Sequence, residues 1–393
     1  MHKLIVAAST VLLLTGCATL NNRSKKNVER GRETLDSIYT HYSVEGTSLL
    51  REIHPFAEEY KATYLASEEQ ANRPNPYAYL WPFSGTFSAV NALLEATNDK
   101  NYQQLLDTKV LPGLEEYLDT KRTPSAYASY IHTAPPSDRF YDDNIWLGID
   151  FSDTYTMTGE QKYLDKAKLI WQFIESGIDE QLGGGIYWCE QKKESKNTCS
   201  NAPGSVLALK LFEATKDSNY FHQGKALYHW TKTHLQDPSD NLYYDNVGLN
   251  GRIGKAKFAY NSGQMLQSAV LLYKLTKEKS YLTEAQNIAK SGYNQFFQEF
   301  TPAEGSSFML LKRGNIWFTA VMLRGYIELY KVDKNKSYLD SFQESLDYAW
   351  THMREETGLF NQDWSGESKE SFKSVLTQAA MVEMYARMAA ARK

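Results

Sequence analysis

The sequence is short of cysteine, of long apolar runs and of basic charge, and each shortage removes a class of protein. Its three cysteines are Cys17, Cys189 and Cys199. The last two lie ten positions apart in one polar loop, with no histidines nearby, so they do not read as a metal site. A disulfide between them is expected in an oxidising compartment; two free thiols are the alternative. The net charge of −4 argues against a general attraction to phosphate backbones, so no nucleic-acid partner is expected. There is no His-Glu-x-x-His stretch, no Gly-x-Ser-x-Gly elbow and no phosphate loop, which speaks against zinc proteases, α/β-hydrolases and P-loop enzymes. Neither metal nor cofactor is expected. The glycine-rich Gly248–Gly254 stretch does not open a helix after a strand and reads as a flexible loop.

The only notable apolar run is Leu4–Leu14, far short of the ~20 residues that span a bilayer. It follows the basic Lys3 and ends in Leu14-Thr15-Gly16-Cys17, which resembles the bacterial lipobox. Residues 1–16 are therefore expected to be a lipoprotein signal peptide. Cys17 would then be lipidated, residues 17–27 a polar tether, and 28–393 one folded domain. This places the protein in the cell envelope, held by a lipid anchor, with the outer membrane as the expected location. The side it faces stays open. A monomer is expected.

What is present is a repeat. The segment from Leu94 through Thr97 to Tyr102 returns as Tyr155–Thr158–Tyr163, Phe212–Thr215–Tyr220 and Tyr273–Thr276–Tyr281. It returns once more as Tyr330–Tyr338, with Asp333 in place of the threonine. The closing tyrosines are spaced 61, 57, 61 and 57 residues apart. Each copy joins an upstream segment that is apolar nearly all round to a downstream one with a single apolar stripe, which predicts an inner helix followed by an outer one. The Thr and acidic residues between them suit capping. A helix near Val28–Tyr60 and another near Ser371–Ala391 complete twelve. The expected fold is all-α: an (α/α)6 barrel of six helical hairpins, with an open helical solenoid as the alternative. No linker rich in Pro, Gly or Ser interrupts the array, so a single domain is expected.

In such a barrel the loops entering the inner helices gather at one rim. They carry Trp81, Tyr141-Asp142-Asp143-Asn144-Ile145-Trp146, Trp188, Tyr260-Asn261, Trp317 and Trp364. Aromatic, amide and carboxylate groups thus concentrate on one face, as a carbohydrate cleft requires, while any single aromatic there is equally at home in a core. The adjacent Asp142 and Asp143 are the candidate catalytic pair, because glycoside cleavage needs an acid for the leaving oxygen and a second carboxylate. Side chains of helical neighbours diverge by ~100°, so convergence is expected to require a non-helical Asp142 at the helix mouth. One of the two serving as a helix cap is the plain alternative.

The block Tyr141–Trp146 resembles the paired-aspartate signature of glycoside hydrolase family 76. Gly183–Trp188, then Lys196-Asn197 and Ser200-Asn201, is similar to that family's next block, and Tyr260-Asn261-Ser262-Gly263 to its Tyr-Asn-Gln-Gly element, with Ser262 in place of Gln. Cys189 and Cys199 lie outside the pattern. The resemblance implies a retaining endo-α-1,6-mannanase acting on α-mannan, with Asp142 as nucleophile and Asp143 as acid/base. It further implies that Asn144 and Asn261 bond sugar hydroxyls and that Trp188, Tyr260 and Trp364 stack on sugar rings. Trp81, Asn197, Asn201 and Trp317 are placed in the same cleft. Two other readings stay open: a glycan-binding lipoprotein that has lost turnover, and another (α/α)6 glycosidase such as an unsaturated glucuronyl hydrolase.

Overall fold

The computed structural model describes residues 2–71 and 75–391, with side chains described from Asn22 onward except at 68 and 71. The leader and the lipidation position Cys17 lie outside the described side chains. Six inner helices span Leu80–Thr97, Tyr141–Thr158, Thr198–Thr215, Ala259–Thr276, Ile316–Asp333 and Val375–Ala391. Each packs on the next, and the last packs on the first, so the ring is closed. That contact decides for the barrel over an open solenoid. Five outer helices alternate with them: Gln161–Glu175, Ser218–Leu235, Lys279–Phe296, Ser337–His352 and the initial His2–Tyr42. The sixth runs in three pieces, with a π-helical turn at Leu106–Val110 between Lys100–Leu105 and Leu111–Glu115. Pro112 accounts for it, because its ring lacks an N–H and clashes with the carbonyl four residues earlier in a regular helix.

The pattern of burial follows the sequence. The Ala259–Thr276 helix is buried from Ala259 through Leu272, whereas its partner Lys279–Phe296 buries a stripe of Tyr281, Ala285, Ile288, Ala289 and Gly292. The repeat is a helix stop. Thr97, Thr158, Thr215 and Thr276 each accept, through Oγ1, the N–H two residues on, at 3.1–3.3 Å. Asp333 does the same for Asn335 at 2.9 Å. The residue in between (Asn98, Gly159, Lys216, Lys277 or Lys334) is left-handed and returns its N–H to the fourth carbonyl back. This satisfies carbonyls the helix end would leave open. Tyr102, Tyr163, Tyr220, Tyr281 and Tyr338 begin the outer helices at this rim, opposite the entry loops.

The structure departs from expectation in its N-terminal part and at the entry rim. The first helix stops at Tyr42 rather than near Tyr60, and residues 43–67 and 75–79 cross the entry rim as largely irregular chain, with one short helix at Glu68–Ala71. Its strand Ile53–His54 pairs with Lys373–Ser374 just before the last helix. Helical packing is also in place by Ser24, which donates to the Ala389 carbonyl at 2.9 Å, and Asn27 is buried against Gln343. The entry rim is not purely helical. It carries a four-stranded antiparallel sheet of Tyr187–Cys189, Lys192–Asn197, Asn246–Gly248 and Ile253–Gly254.

Inside the barrel, away from the rim, lies a buried ionic cluster. Arg324 meets Glu383 through Nε and Nη2 at 2.6 and 3.0 Å. Its Nη2 also donates to Ser88, which in turn donates to Asp150 at 2.6 Å. Four inner helices are thereby tied together across the axis.

Candidate active site

The Tyr141–Thr158 helix begins after an extended Phe140. The incoming loop is held by the buried Arg139, which bonds Glu190 and the Pro124 carbonyl. Asp142 and Asp143 therefore occupy the first helical turn, where the helix dipole favours negative charge. Asp142 is already helical, so a non-helical backbone is not what brings the pair together. The Asp143 N–H donates to Asp142 Oδ1 at 3.0 Å, and Trp188 Nε1 donates to Oδ2 at 3.2 Å. The Cys199 thiol donates to the same carboxylate. Neither aspartate caps the helix; the cap position is Phe140.

The two carboxyls have unequal surroundings. Burial pushes Asp142 up to about 7, while the Cys199 thiol, the Asp143 N–H and the Trp188 N–H work in the opposite direction. Asp143 is raised well above the ordinary carboxylate range by burial and then by the charge of Asp142, and no donor offsets this among the described residues. One member of the pair is thus supported as a carboxylate and the other is favoured as the protonated acid.

Both line a cavity of about 590 Å³ at the entry rim. Its wall is aromatic. Tyr260 stacks face to face on Phe318 at 4.0 Å, and Trp317 meets Trp146 and Trp81 edge-on at 5.0 and 5.5 Å. No Lys, Arg or His appears among its described lining residues. A smaller cavity of about 220 Å³ lies at the opposite end, lined by paired charges such as Lys210–Asp153 and Arg387–Glu95. It contains no part of the aspartate pair.

Of the residues singled out from sequence, Trp81, Trp188, Asn197, Tyr260 and Trp317 line the large cavity with the aspartates. Four others do not. Asn144 is fully buried and clamps the strand behind it, accepting from Tyr127 N and donating to Tyr127 O, each at 2.8 Å. Asn201 does the same to Ile186, at 2.6 and 2.9 Å. Both stand fourth in an inner helix, and so do Gln378, which clamps Phe360, and Ser262, which accepts from Tyr243 N. Ser262 therefore secures a loop and does not shape a sugar subsite. Asn261 is buried against Asp245, behind the cavity wall. Trp364 is 1% exposed and sits in the core.

The expected disulfide is absent: both thiols are free. Cys189 ends a rim strand and turns toward Gln191, whereas Cys199 lies in the first turn of the next inner helix and faces Asp142. Sequence reasoning also missed Asp245, a third carboxyl in the cavity, raised by burial and bonded by Asn246 at 2.7 Å. It missed the wall built by Thr63, Tyr64, Leu65 and Tyr79 as well. There the buried Glu52 accepts from Tyr60 OH, Tyr64 OH and Tyr79 N at 3.0, 2.8 and 3.0 Å, setting Tyr64 edge-on to Trp81 at the cavity. A lone glutamate among scattered tyrosines gave no periodic signal; Asp245-Asn246, an acid–amide doublet before a glycine-rich loop, was at least visible.

Comparison with known proteins agrees with this geometry. The sequence model of glycosyl hydrolase family 76 matches residues 54–393. A family 76 glycoside hydrolase (mannosidase) from Bacteroides thetaiotaomicron is 33% identical and superposes with a TM-score of 0.84, covering 93% of this chain and 98% of that one. The α-1,6-mannanase of Salegentibacter shares the fold at 24% identity, with a TM-score of 0.72 over 92% and 99% of the two chains. It was solved as an inactive variant, with two adjacent aspartates changed to asparagine, in complex with α-1,6-mannotriose. A Schizosaccharomyces pombe protein provisionally named a mannan endo-1,6-alpha-mannosidase is 21% identical over 230 residues, 56% of this chain and 51% of its own length. This chain thus spans about half the length of that relative.

Proposed function

This chain belongs to glycosyl hydrolase family 76, and from that footing we propose that it is a retaining endo-α-1,6-mannanase, with Asp142 as nucleophile and Asp143 as acid/base. The observation that carries the assignment is the asymmetry of the pair: the Cys199 thiol, the Trp188 indole and the backbone N–H groups of Asp142 and Asp143 support Asp142 as an anion, and no donor among the described residues supports Asp143. Asp143 protonates the leaving oxygen while Asp142 attacks the anomeric carbon, forming a glycosyl ester. Asp143, now ionised, then draws a proton from water, which opens the ester. Retention requires carboxyls about 5–5.5 Å apart, and adjacent residues on one turn can meet that distance. Trp81, Trp188 and Tyr260 supply flat faces for sugar rings, and Asn197 and Asp245 supply polar contacts to hydroxyls. The lack of Lys, Arg and His among the described lining residues disfavours a uronate substrate, and with it the glucuronyl hydrolase reading.

The proposal extends to location: lipidation at Cys17 holds the domain at the envelope, on the outer membrane. Replacing Cys17 by Ala is expected to release the protein into the soluble fraction.

The deciding experiment is digestion of linear α-1,6-mannan, followed by product length and anomeric configuration. Early release of oligosaccharides of mixed length with the α-configuration is expected. Release of one short product alone would mean exo action. Binding without turnover would leave the glycan-binding reading standing.

A further inference from the structure

Cys199 holds a position that the proposed reaction does not by itself explain. It is the second residue of the Thr198–Thr215 helix, 3% exposed, and lines the cavity beside Asp142. Its S–H donates to the Asp142 carboxylate, and the Tyr260 O–H donates to its sulfur. Asp142 is therefore gripped from three directions: by its own helix through the Asp143 N–H, by a rim strand through Trp188, and by the neighbouring inner helix through the thiol.

The groups around Asp142 give that thiol its weight. Asp143 on the same helix opposes a second charge beside it. Asp245, close to Cys199 and Tyr260, adds a further acidic group. No cation lines the described cavity. Among the described residues an ionised Asp142 thus has neutral donors only, and in a low-dielectric site each such donor counts for more than it would in water.

We propose that Cys199 is a positioning residue for Asp142: its thiol, oriented by Tyr260, fixes the carboxylate's orientation and sustains its ionised form for attack. The proposal rests on Asp142 being the nucleophile. The thiol takes no covalent part. It holds one lone pair of the carboxylate and leaves another free to face the anomeric carbon.

The test combines two measurements on the full-length protein. The first is the pH profile of kcat/KM on an aryl α-mannoside. Cys199→Ala is expected to move the acid limb upward by about half a unit to one unit, the worth of one hydrogen bond, and Cys199→Ser, which keeps a donor, to return it toward wild type. If Cys199→Ala fails to fold, Tyr260→Phe takes its place and is expected to move the limb in the same direction. The second is trapping with a slowly turned-over fluorinated mannosyl fluoride, followed by peptide mapping. A label on Asp142 with an acid limb unmoved in these variants overturns the role of Cys199 alone. A label on another residue overturns the reading of Asp142 itself, whatever the pH profiles show.

Discussion

The backbone N–H of Asp143 donates to Oδ1 of its neighbour Asp142 at 3.0 Å. The candidate acid thus steadies the candidate nucleophile through its main chain, while no donor to its own side chain is found among the described residues. Substituting the Asp143 side chain leaves that support in place, so the two aspartates should fail in different ways.

Asp142→Asn is expected to abolish turnover on every glycoside, since no ester can form. Asp143→Asn is expected to lose ~10²–10⁴-fold on mannan, the usual share of a general acid–base. On an aryl mannoside with a good leaving group it should still form the ester, and added azide should speed its breakdown to the α-mannosyl azide. Rescue of Asp142→Asn instead would reverse the roles. Full activity in both variants would move catalysis elsewhere on the rim.

The pH profile should be displaced toward neutrality. Asp142 must be ionised, and burial pushes it up to about 7, so kcat/KM is expected to fall as pH drops through that region and not near the ordinary carboxylate value of ~3.9. Asp143 must be protonated and is raised well above the ordinary carboxylate range by burial and by the charge of Asp142, so the acid form that the reaction needs persists far above pH 4. Because the two interact, the limbs belong to the pair. An acid limb near pH 4 would contradict the described burial of Asp142.

The third expectation concerns stability. Burial alone would raise Glu383, but Arg324 and Arg387 outweigh it and hold it at about 2. A depressed carboxylate stabilises the fold above its unfolded value and ceases to do so only as pH falls toward its folded one. Arg324→Met leaves Glu383 with Arg387 as its one remaining cationic partner among the described residues, so the loss in urea unfolding at neutral pH should fall short of the ~3–5 kcal/mol of a fully stranded buried charge, at about 2–3 kcal/mol. Adding Glu383→Gln should cost less than the two single changes together, a coupling of about 0.5–3 kcal/mol. A single-variant loss below ~1 kcal/mol would show the pair to be dispensable.

The barrel was legible because its stop signal recurs. Thr97, Thr158, Thr215 and Thr276 do one local job in one local way, and a regular spacing announces it. The aspartates were legible because they stand together at the mouth of an apolar helix. What failed was direction. Asn144 and Asn201 look like rim amides in the sequence, but the fourth position of an inner helix points back beneath its own loop. Cys189 and Cys199 look paired because ten residues separate them, yet a helix starting at Thr198 turns one thiol toward Asp142. Trp364 carries the same aromatic signature as Trp81, and only the packing of the last rim loop draws it into the core.

The clamps set by Asn144, Asn201, Ser262 and Gln378 give the enzyme a modular upper surface. Each pins a point partway along a loop to the helix that follows it, so changes elsewhere along the loop need not disturb the cylinder below. Lengthening the loop before Tyr243, or exchanging the one before Phe360, would remodel what the cleft admits while Asp142 and Asp143 keep their station. Such a platform lets substrate preference drift quickly and chemistry slowly: four sockets, each able to take a new insert without retooling the one that cuts.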